Sequence, residues 1–405
     1  MSRVYVVGIG ADGWASLSAD TRELLSDADL VIGGTRHLDL LPEVRAERVT
    51  LPSPLLPALR EVLGSRGDRL VCVLASGDPM FYGIGRTIVD LLGPDDVIIV
   101  PNISSLALAC AQLRWPVEDV EVISAVARRP ERLRAALHPG RRLLVLSEGA
   151  RTPAIVAQLL TTAGYGDSEI SILNDLGAER QGGDVGRART WKDVGQVSAL
   201  NVVAVQCVPD RDTVPLGRSP GLPDEVYDSD GQLTKREVRA VTLAHLRPGP
   251  GELLWDVGAG SGSIGIEWMR HHPTARAIAV ESAENRVKRI VANAMSLGVP
   301  GIQVIEGRAP EALDGLDRPH AVFIGGGLTG CGVVEACWAA LRPGGRLVAT
   351  AVTVESETAL ASWHAELGGD LVRLAVSRAE PLGSFTTWRP MLPVTQWTVR
   401  KESTE

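Results

Sequence analysis

Four glycines, Gly258, Gly260, Gly262 and Gly265, sit where an apolar run ending in an acid turns into a segment of helical periodicity, Leu253 to Trp268 (LLWDVGAGSGSIGIEW). Glycines so spaced let backbone approach a ligand closely, because no Cβ intervenes. The helix that follows offers free N–H groups and a partial positive charge at its N-terminus. Gly260, Gly262 and Gly265 fit the dinucleotide fingerprint GxGxxG, although glycine also marks any tight turn. The next apolar run, Ala275 to Val280, ends in Glu281. A carboxylate there can accept both ribose hydroxyls of an adenosyl ligand. The competing reading is that Glu281 caps the following helix.

A second set of candidates lies near the N-terminus. Ser2 to Gly10 reads SRVYVVGIG, an apolar strand that ends in Gly8 and Gly10. Leu70 to Ala75 runs into Ser76-Gly77-Asp78-Pro79, and Val97 to Val100 runs into Pro101-Asn102-Ile103-Ser104-Ser105. Open α/β sheets bind ligands at the carboxyl ends of their strands, where these residues fall. Gly77-Asp78-Pro79 also reads simply as a β-turn.

These residues must be positioned by alternating strands and helices. The first 114 residues predict a mostly parallel sheet, with a helix over 17–28. From Trp115 the pattern changes, and strands at 120–124, 142–147, 169–173 and 201–208 predict a second lobe. Domain one is expected over 1–208, with lobes at about 1–114 and 115–208. The run 209–225 holds Pro209, Pro215, Gly217, Pro220, Gly221 and Pro223, a density that predicts a linker. Domain two is expected over 226–405. It opens on an amphipathic helix at 233–246, with Thr234 as N-cap and Glu237 in capping-box spacing. A βαβ rhythm follows, with strands at 253–257, 277–280, 303–306, 321–324 and 346–351, helices at 263–270, 284–297 and 332–341, and a terminal strand pair at 371–377 and 394–399.

Composition narrows the classes. The chain has 405 residues, 45% hydrophobic and 22% charged, with a net charge of −8. That is ordinary globular material, and the acidic balance argues against a general nucleic-acid binder. No apolar run reaches the length of a membrane span, and Met1 to Val7 reads as no signal peptide. The five cysteines are scattered and form no CxxC pair, so no zinc site or disulfide framework is expected and a reduced, cytoplasmic setting is the default. Cys331 and Cys337 read as small core residues. The seven histidines are dispersed, and no metal site is predicted.

Asp256, Gly258, Gly260 and Gly262 together give DxGxGxG, which resembles the first motif of the S-adenosylmethionine (SAM) methyltransferases. With EGRAPEAL (306–313), AVFIGGG (321–327) and LRPGGRLVATAVTVESE (341–357), the C-terminal half is similar to the decarboxylating methyltransferases of corrin synthesis. VVGIGADGW (6–14), ASGDPMFYGIG (75–85) and PNISSLALA (101–109) make the N-terminal half similar to the tetrapyrrole methylases. The whole chain resembles the fused precorrin-6Y C(5,15)-methyltransferase (decarboxylating) family of cobalamin biosynthesis. One departure is Ala11, where many relatives carry proline.

The resemblance implies an α/β fold: a two-lobed tetrapyrrole-methylase domain followed by a Rossmann-like class I SAM methyltransferase domain. It implies one SAM per domain. In the second, Asp256, Gly258, Ala259, Gly260, Ser261 and Gly262 would wrap the methionine part, Glu281 would take the ribose, Ala309 would lie beside the adenine, and Thr234 would touch the cofactor. In the first, contacts would come from Gly8, Gly10, Ser76, Gly77, Asp78, Phe81, Ser104 and Ser105. The implied reaction methylates carbons 5 and 15 of precorrin-6Y and removes the ring C acetate carboxylate as carbon dioxide, giving precorrin-8, with carbon 5 assigned to the N-terminal half. Arg128, Arg129, Arg132, Lys235, Arg236 and Arg308 are candidates for the substrate's carboxylates, since arginine suits carboxylate pairs. Glu237 and Asp256 are candidate general acids. A homo-oligomer, dimer or tetramer, is expected, with no nucleic-acid or membrane partner. The alternatives are the cobalt-containing equivalent of the same reaction, a nicotinamide-dependent oxidoreductase, and a tetrapyrrole carrier.

Overall fold

The computed structural model describes residues 3–51, 55–192 and 197–403. The chain divides into two compact units, residues 1–130 with 139–213, and residues 131–138 with 214–405.

In the first unit, apolar runs form β1 (Val4–Ile9), β2 (Leu30–Gly33), β3 (Glu47–Thr50), β4 (Val71–Ser76) and β5 (Val97–Val100). They lie in the order β3-β2-β4-β1-β5 and pair in parallel throughout. Parallel sheets are covered on both faces, which is why β1, β2 and β4 are apolar at nearly every position. Helices α1 (Ala19–Asp27), α2 (Thr35–Asp39), α3 (Leu55–Gly64), α4 (Gly85–Leu92) and α5 (Ser105–Leu113) connect or follow the strands. Ser18 caps α1 through Thr21 N–H, and Ser104 caps α5 through Ala107 N–H. The second sheet runs β6 (Val120–Ser124), β7 (Arg142–Leu146), β10 (Asn201–Gln206), β8 (Glu169–Asn174), β9 (Val185–Arg187). Only β6 and β7 pair in parallel there. Helix α6 (Thr152–Thr162) buries Val156, Ala157 and Leu160.

The second unit opens on helix α7, which spans Arg236–Leu246 rather than starting near 233. Its N-cap is Lys235, without a side-chain cap bond. The expected Thr234–Glu237 capping box does not form, because the helix starts one residue later than expected, which puts Glu237 in its first turn two places after the Lys235 N-cap, and the Glu237 carboxylate takes Arg378 Nη2 at 2.7 Å instead.

The main sheet contains β11 (Leu253–Val257), β12 (Arg276–Glu281), β13 (Gln303–Glu306), β14 (Ala321–Ile324), β15 (Arg346–Ala351), β16 (Asp370–Leu374) and β19 (Val394–Arg400), and its order is β13-β12-β11-β14-β15-β19-β16. The first five pair in parallel, and β19 joins β15 and β16 antiparallel. Helices α8 (Ser263–His271), α9 (Glu284–Ser296), α10 (Val333–Ala340) and α11 (Val354–Leu367) flank it. Helix α11 and the hairpin of β17 (Ser377–Leu382) and β18 (Phe385–Pro390) lie outside the expected elements.

The proline-rich stretch is built into this unit over its second half. Leu222 and Tyr227 are buried with Ile266, Ala294 and Leu297. Glu267 accepts hydrogen bonds from Gly221 N–H at 2.6 Å, Leu222 N–H at 3.0 Å, Tyr227 O–H at 2.9 Å and Arg239 Nε at 2.5 Å. Cys337 is buried as expected, but Cys331 is exposed, because it precedes α10 instead of lying on it.

Candidate functional sites

In the second unit, β11 delivers Asp256 to the edge of a turn through Gly258, Gly260 and Gly262, all at positive φ (+69°, +60° and +78°). Two of these glycines are demanded by packing. A Cβ on Gly258 would stand 2.6 Å from the Gly326 backbone, and one on Gly262 would stand 2.9 Å from Ile290 Cγ2. Gly260 differs, since a Cβ there would meet nothing nearer than the Gln232 carbonyl at 3.4 Å. The turn thus presents one bare backbone stretch to the space above it.

That space is a cavity of about 1050 Å³ over the carboxyl ends of the strands. Thr234, Lys235, Gly258, Ala259, Gly260, Ser261, Glu281, Arg308 and Ala309 line it. Glu281 Oε2 accepts the Gly260 N–H at 2.9 Å, and Oε1 accepts the Ala283 N–H at 3.0 Å. Glu281 thus braces the loop and lines the cavity, while the following helix takes Ala283 as its N-cap without a side-chain cap bond. Asp256, Gly262, Arg236 and Glu237 do not line the cavity. Arg236 is exposed. The hydrogen bond from Arg378 holds the Glu237 carboxyl below the usual glutamate range. Asp256 is buried behind the loop, where Oδ2 accepts Gly265 N–H at 2.9 Å. Its Oδ1 is buried without a hydrogen-bond partner among the described residues. Burial pushes this carboxyl up to about 7, against the Gly265 hydrogen bond and helped by the nearby charge of Glu281. Asp256 is thus placed to shape the loop and not to touch a ligand.

Sequence reasoning missed Arg286, Phe323, Thr329, Thr350, Met391 and Leu392, which also line this cavity. Arg286 binds Asp230 Oδ2 at 2.8 Å and Gln232 Oε1 at 2.9 Å. Partners more than fifty residues apart leave no local pattern.

The first unit holds a cavity of about 430 Å³ where loops after β1, β2, β4 and β5 meet residues of the second lobe. Gly10, Ser76, Gly77, Phe81 and Ser105 line it, whereas Gly8, Asp78 and Ser104 do not. Gly8 is required by packing, since a Cβ would fall 2.0 Å from the Gly77 carbonyl. Asp78 Oδ1 accepts Met80 N–H at 2.8 Å, so this acid shapes the turn. Ser104 is committed to capping α5. Leu146, Ser147, Leu173 and Leu176 line the cavity from the second lobe. Arg128 and Arg129 are exposed and lie off it, with the Arg128 guanidinium 4.9 Å from the Tyr82 ring centre. Arg132 falls in the segment grouped with the second unit. Arg36 and His37, which the sequence did not single out, do line the cavity.

Among the described residues no His, Cys, Asp or Glu cluster could hold a metal, and no helix is long and apolar enough to cross a membrane.

Comparison with known proteins adds the family. Residues 3–182 match the model of the tetrapyrrole (corrin/porphyrin) methylases, and residues 225–401 match that of the precorrin methyltransferase domain. Precorrin-6Y C(5,15)-methyltransferase [decarboxylating] of a Sinorhizobium species is 44% identical over 98% of this chain and 96% of its own length. The protein of the same name from Mycobacterium tuberculosis is 46% identical over 98% of this chain and 100% of its own. The crystallised C-terminal domain of precorrin-6Y C5,15-methyltransferase from Rhodobacter capsulatus is 43% identical, with a TM-score of 0.44, covering 46% of this chain and all of that one. With full-length relatives at this identity, the chain belongs to the decarboxylating precorrin-6Y C(5,15)-methyltransferase family.

Proposed function

We propose that the chain uses SAM to methylate precorrin-6Y, in its metal-free form, at carbons 5 and 15. The ring C acetate carboxylate leaves as carbon dioxide, giving precorrin-8. The observation that carries the reading is a pair of cavities, one per unit, each at the carboxyl ends of parallel strands in a member of this family. One cofactor per unit is part of the proposal, with carbon 5 served by the first unit and carbon 15 by the second.

The residues fit the cofactor. The order β13-β12-β11-β14-β15 places the Gly258–Gly262 turn beside the point where the strand order reverses, which supports a Rossmann-like methyltransferase reading. Gly260 leaves open backbone toward the cavity, and Glu281 stands beside it as an acceptor. The cavity volume is at the upper end of ordinary small-molecule sites, consistent with cofactor and part of a macrocycle together. SAM, when bound, supplies a methyl group on a sulfonium, already activated for transfer. The chain's own task is positioning: Glu281 and the Gly258–Ser261 backbone orient the donor, the cavity walls exclude water, and Lys235 and Arg308 face the substrate's carboxylates. No protein nucleophile is required. Asp78 and Ser104 support the first site through the turns they hold.

The proposal includes a homo-oligomer, supported by Phe385, Trp388 and Leu382 at 77%, 72% and 60% exposure on one hairpin. Calorimetric titration of the full chain tests the cofactor reading. SAM binding at two sites per chain is expected, and tight NADH binding without a response to SAM overturns it.

A further inference from the structure

We infer that Arg36 is the carboxylate-binding residue of the first unit's cavity, oriented by His37 and Ser76 and directed at the tetrapyrrole substrate and not at the cofactor. The inference rests on the functional reading above and names the group that recognises the substrate there.

Arg36 is the one side chain of permanent charge on this cavity among the described residues, in a lining that includes Ile9, Leu51, Leu74 and Leu173. Its Nη2 lies 2.8 Å from Ser76 Oγ and 2.9 Å from His37 Nε2, and the same His37 nitrogen lies 2.8 Å from Ser76 Oγ. All three side chains thus meet at one point of the wall. Burial and the adjacent guanidinium lower His37 to about 4, so it stays neutral and Nε2 can accept from Arg36. No carboxylate among the described residues lies within ion-pair distance of Arg36, although Asp175 attracts it from farther off. A guanidinium fixed by two neutral partners beside an apolar cavity keeps its remaining N–H donors for an anion, and its planar fork matches a carboxylate.

Position separates the two ligands. The turns expected to hold SAM follow β1, β4 and β5, and among the described residues Arg36 hydrogen-bonds to them through the Ser76 hydroxyl alone, whereas Arg36 itself follows β2, on the β3 side of the sheet, where Leu51 and Leu55 also line the cavity. The substrate is the polycarboxylate that must occupy the space the cofactor leaves.

The whole 405-residue chain tests this. Arg36→Gln should raise KM for precorrin-6Y in carbon 5 methylation by about ten- to a hundredfold, as expected for one charge-assisted contact. The Kd for SAM and the rate at carbon 15 should stay as in the parent chain. His37→Asn should give a smaller rise, and Arg36→Gln should erase the preference for the free acid over its methyl ester. An unchanged KM, or a SAM Kd that shifts by the same factor, overturns the inference. If the parent chain transfers no methyl to carbon 5, the functional reading fails instead. The Arg36 claim is then decided by precorrin-6Y binding, followed by absorbance, and an equal Kd in Arg36→Gln and parent rejects it.

Discussion

Glu281 Oε2 sits 2.9 Å from the amide nitrogen of Gly260, so the acid that ends β12 holds the glycine turn that ends β11. Loop shape and the proposed contact to the cofactor's ribose therefore depend on one side chain. Glu281→Gln keeps the size but loses the charge that both N–H groups face. Loss of one charge-assisted bond corresponds to about 1.5–3 kcal/mol. SAM affinity in the second unit should fall about ten- to a hundredfold, with the first unit's site intact. Calorimetry should show one weakened site of two, and equal loss at both sites would contradict the assignment.

Gly258 and Gly260 should respond differently to the same methyl group. Gly258→Ala drives a Cβ to 2.6 Å from the Gly326 backbone at φ +69°, so the second unit should lose several kcal/mol and its Tm should drop. Gly260→Ala meets no such wall and carries mainly the left-handed backbone strain of about 1–2 kcal/mol. Gly260→Val should retain the fold and abolish methylation at carbon 15. Normal carbon 15 turnover in Gly260→Val would remove the turn from the cofactor site.

Much of this site was legible in the sequence because it is local. Gly258 to Gly262 and Glu281 announce themselves by spacing along two successive βα units, and every strand of that rhythm forms. What stayed hidden depends on distant partners. Thr234 reads as an N-cap, yet the helix starts one residue later with Lys235 at that place, and Arg378 claims Glu237. Asp78 and Ser104 have ligand-like types, yet their oxygens go to Met80 and Ala107 N–H groups. Arg36 and His37 lie on the short helix α2, too short to show periodicity, and only the fold sets them beside Ser76.

Asp256 should make stability fall with rising pH. Its folded-state value of about 7 lies above the ordinary value of 3.8. The folded state then holds a proton the unfolded state has lost between those limits, so the contribution is full below about 4 and is lost as pH rises through 7. Asp256→Asn removes that slope and still offers an oxygen to Gly265 N–H. Denaturant midpoints measured from pH 4 to 8 should flatten in the variant, and an unchanged slope would show that another group is responsible.

Glu267 should be the costliest single acid to remove from the second unit. Its carboxylate meets the fully buried Arg239 as well as Gly221, Leu222 and Tyr227. Glu267→Ala leaves the buried Arg239 guanidinium with only its 3.2 Å pair to Asp224, strips the Gly221, Leu222 and Tyr227 donors of their acceptor, and should destabilise by about 3–5 kcal/mol. Hydrogen exchange should show Gly221 and Leu222 amides losing protection first. Retained protection there would mean that this stretch is held by other contacts.

Asp78→Ala should weaken the first site through the turn and not through a lost ligand contact. The cost to stability should be about 1 kcal/mol, with carbon 5 methylation slowed and carbon 15 spared. Equal loss at both carbons would contradict the division of labour.

The most direct measurement is incubation of the full chain with SAM and precorrin-6Y, metal-free and cobalt-loaded in parallel, followed by mass spectrometry. The account predicts that the metal-free substrate gains two methyl groups and loses one carbon dioxide. A product lacking either change, or turnover of the cobalt-loaded substrate alone, would contradict it.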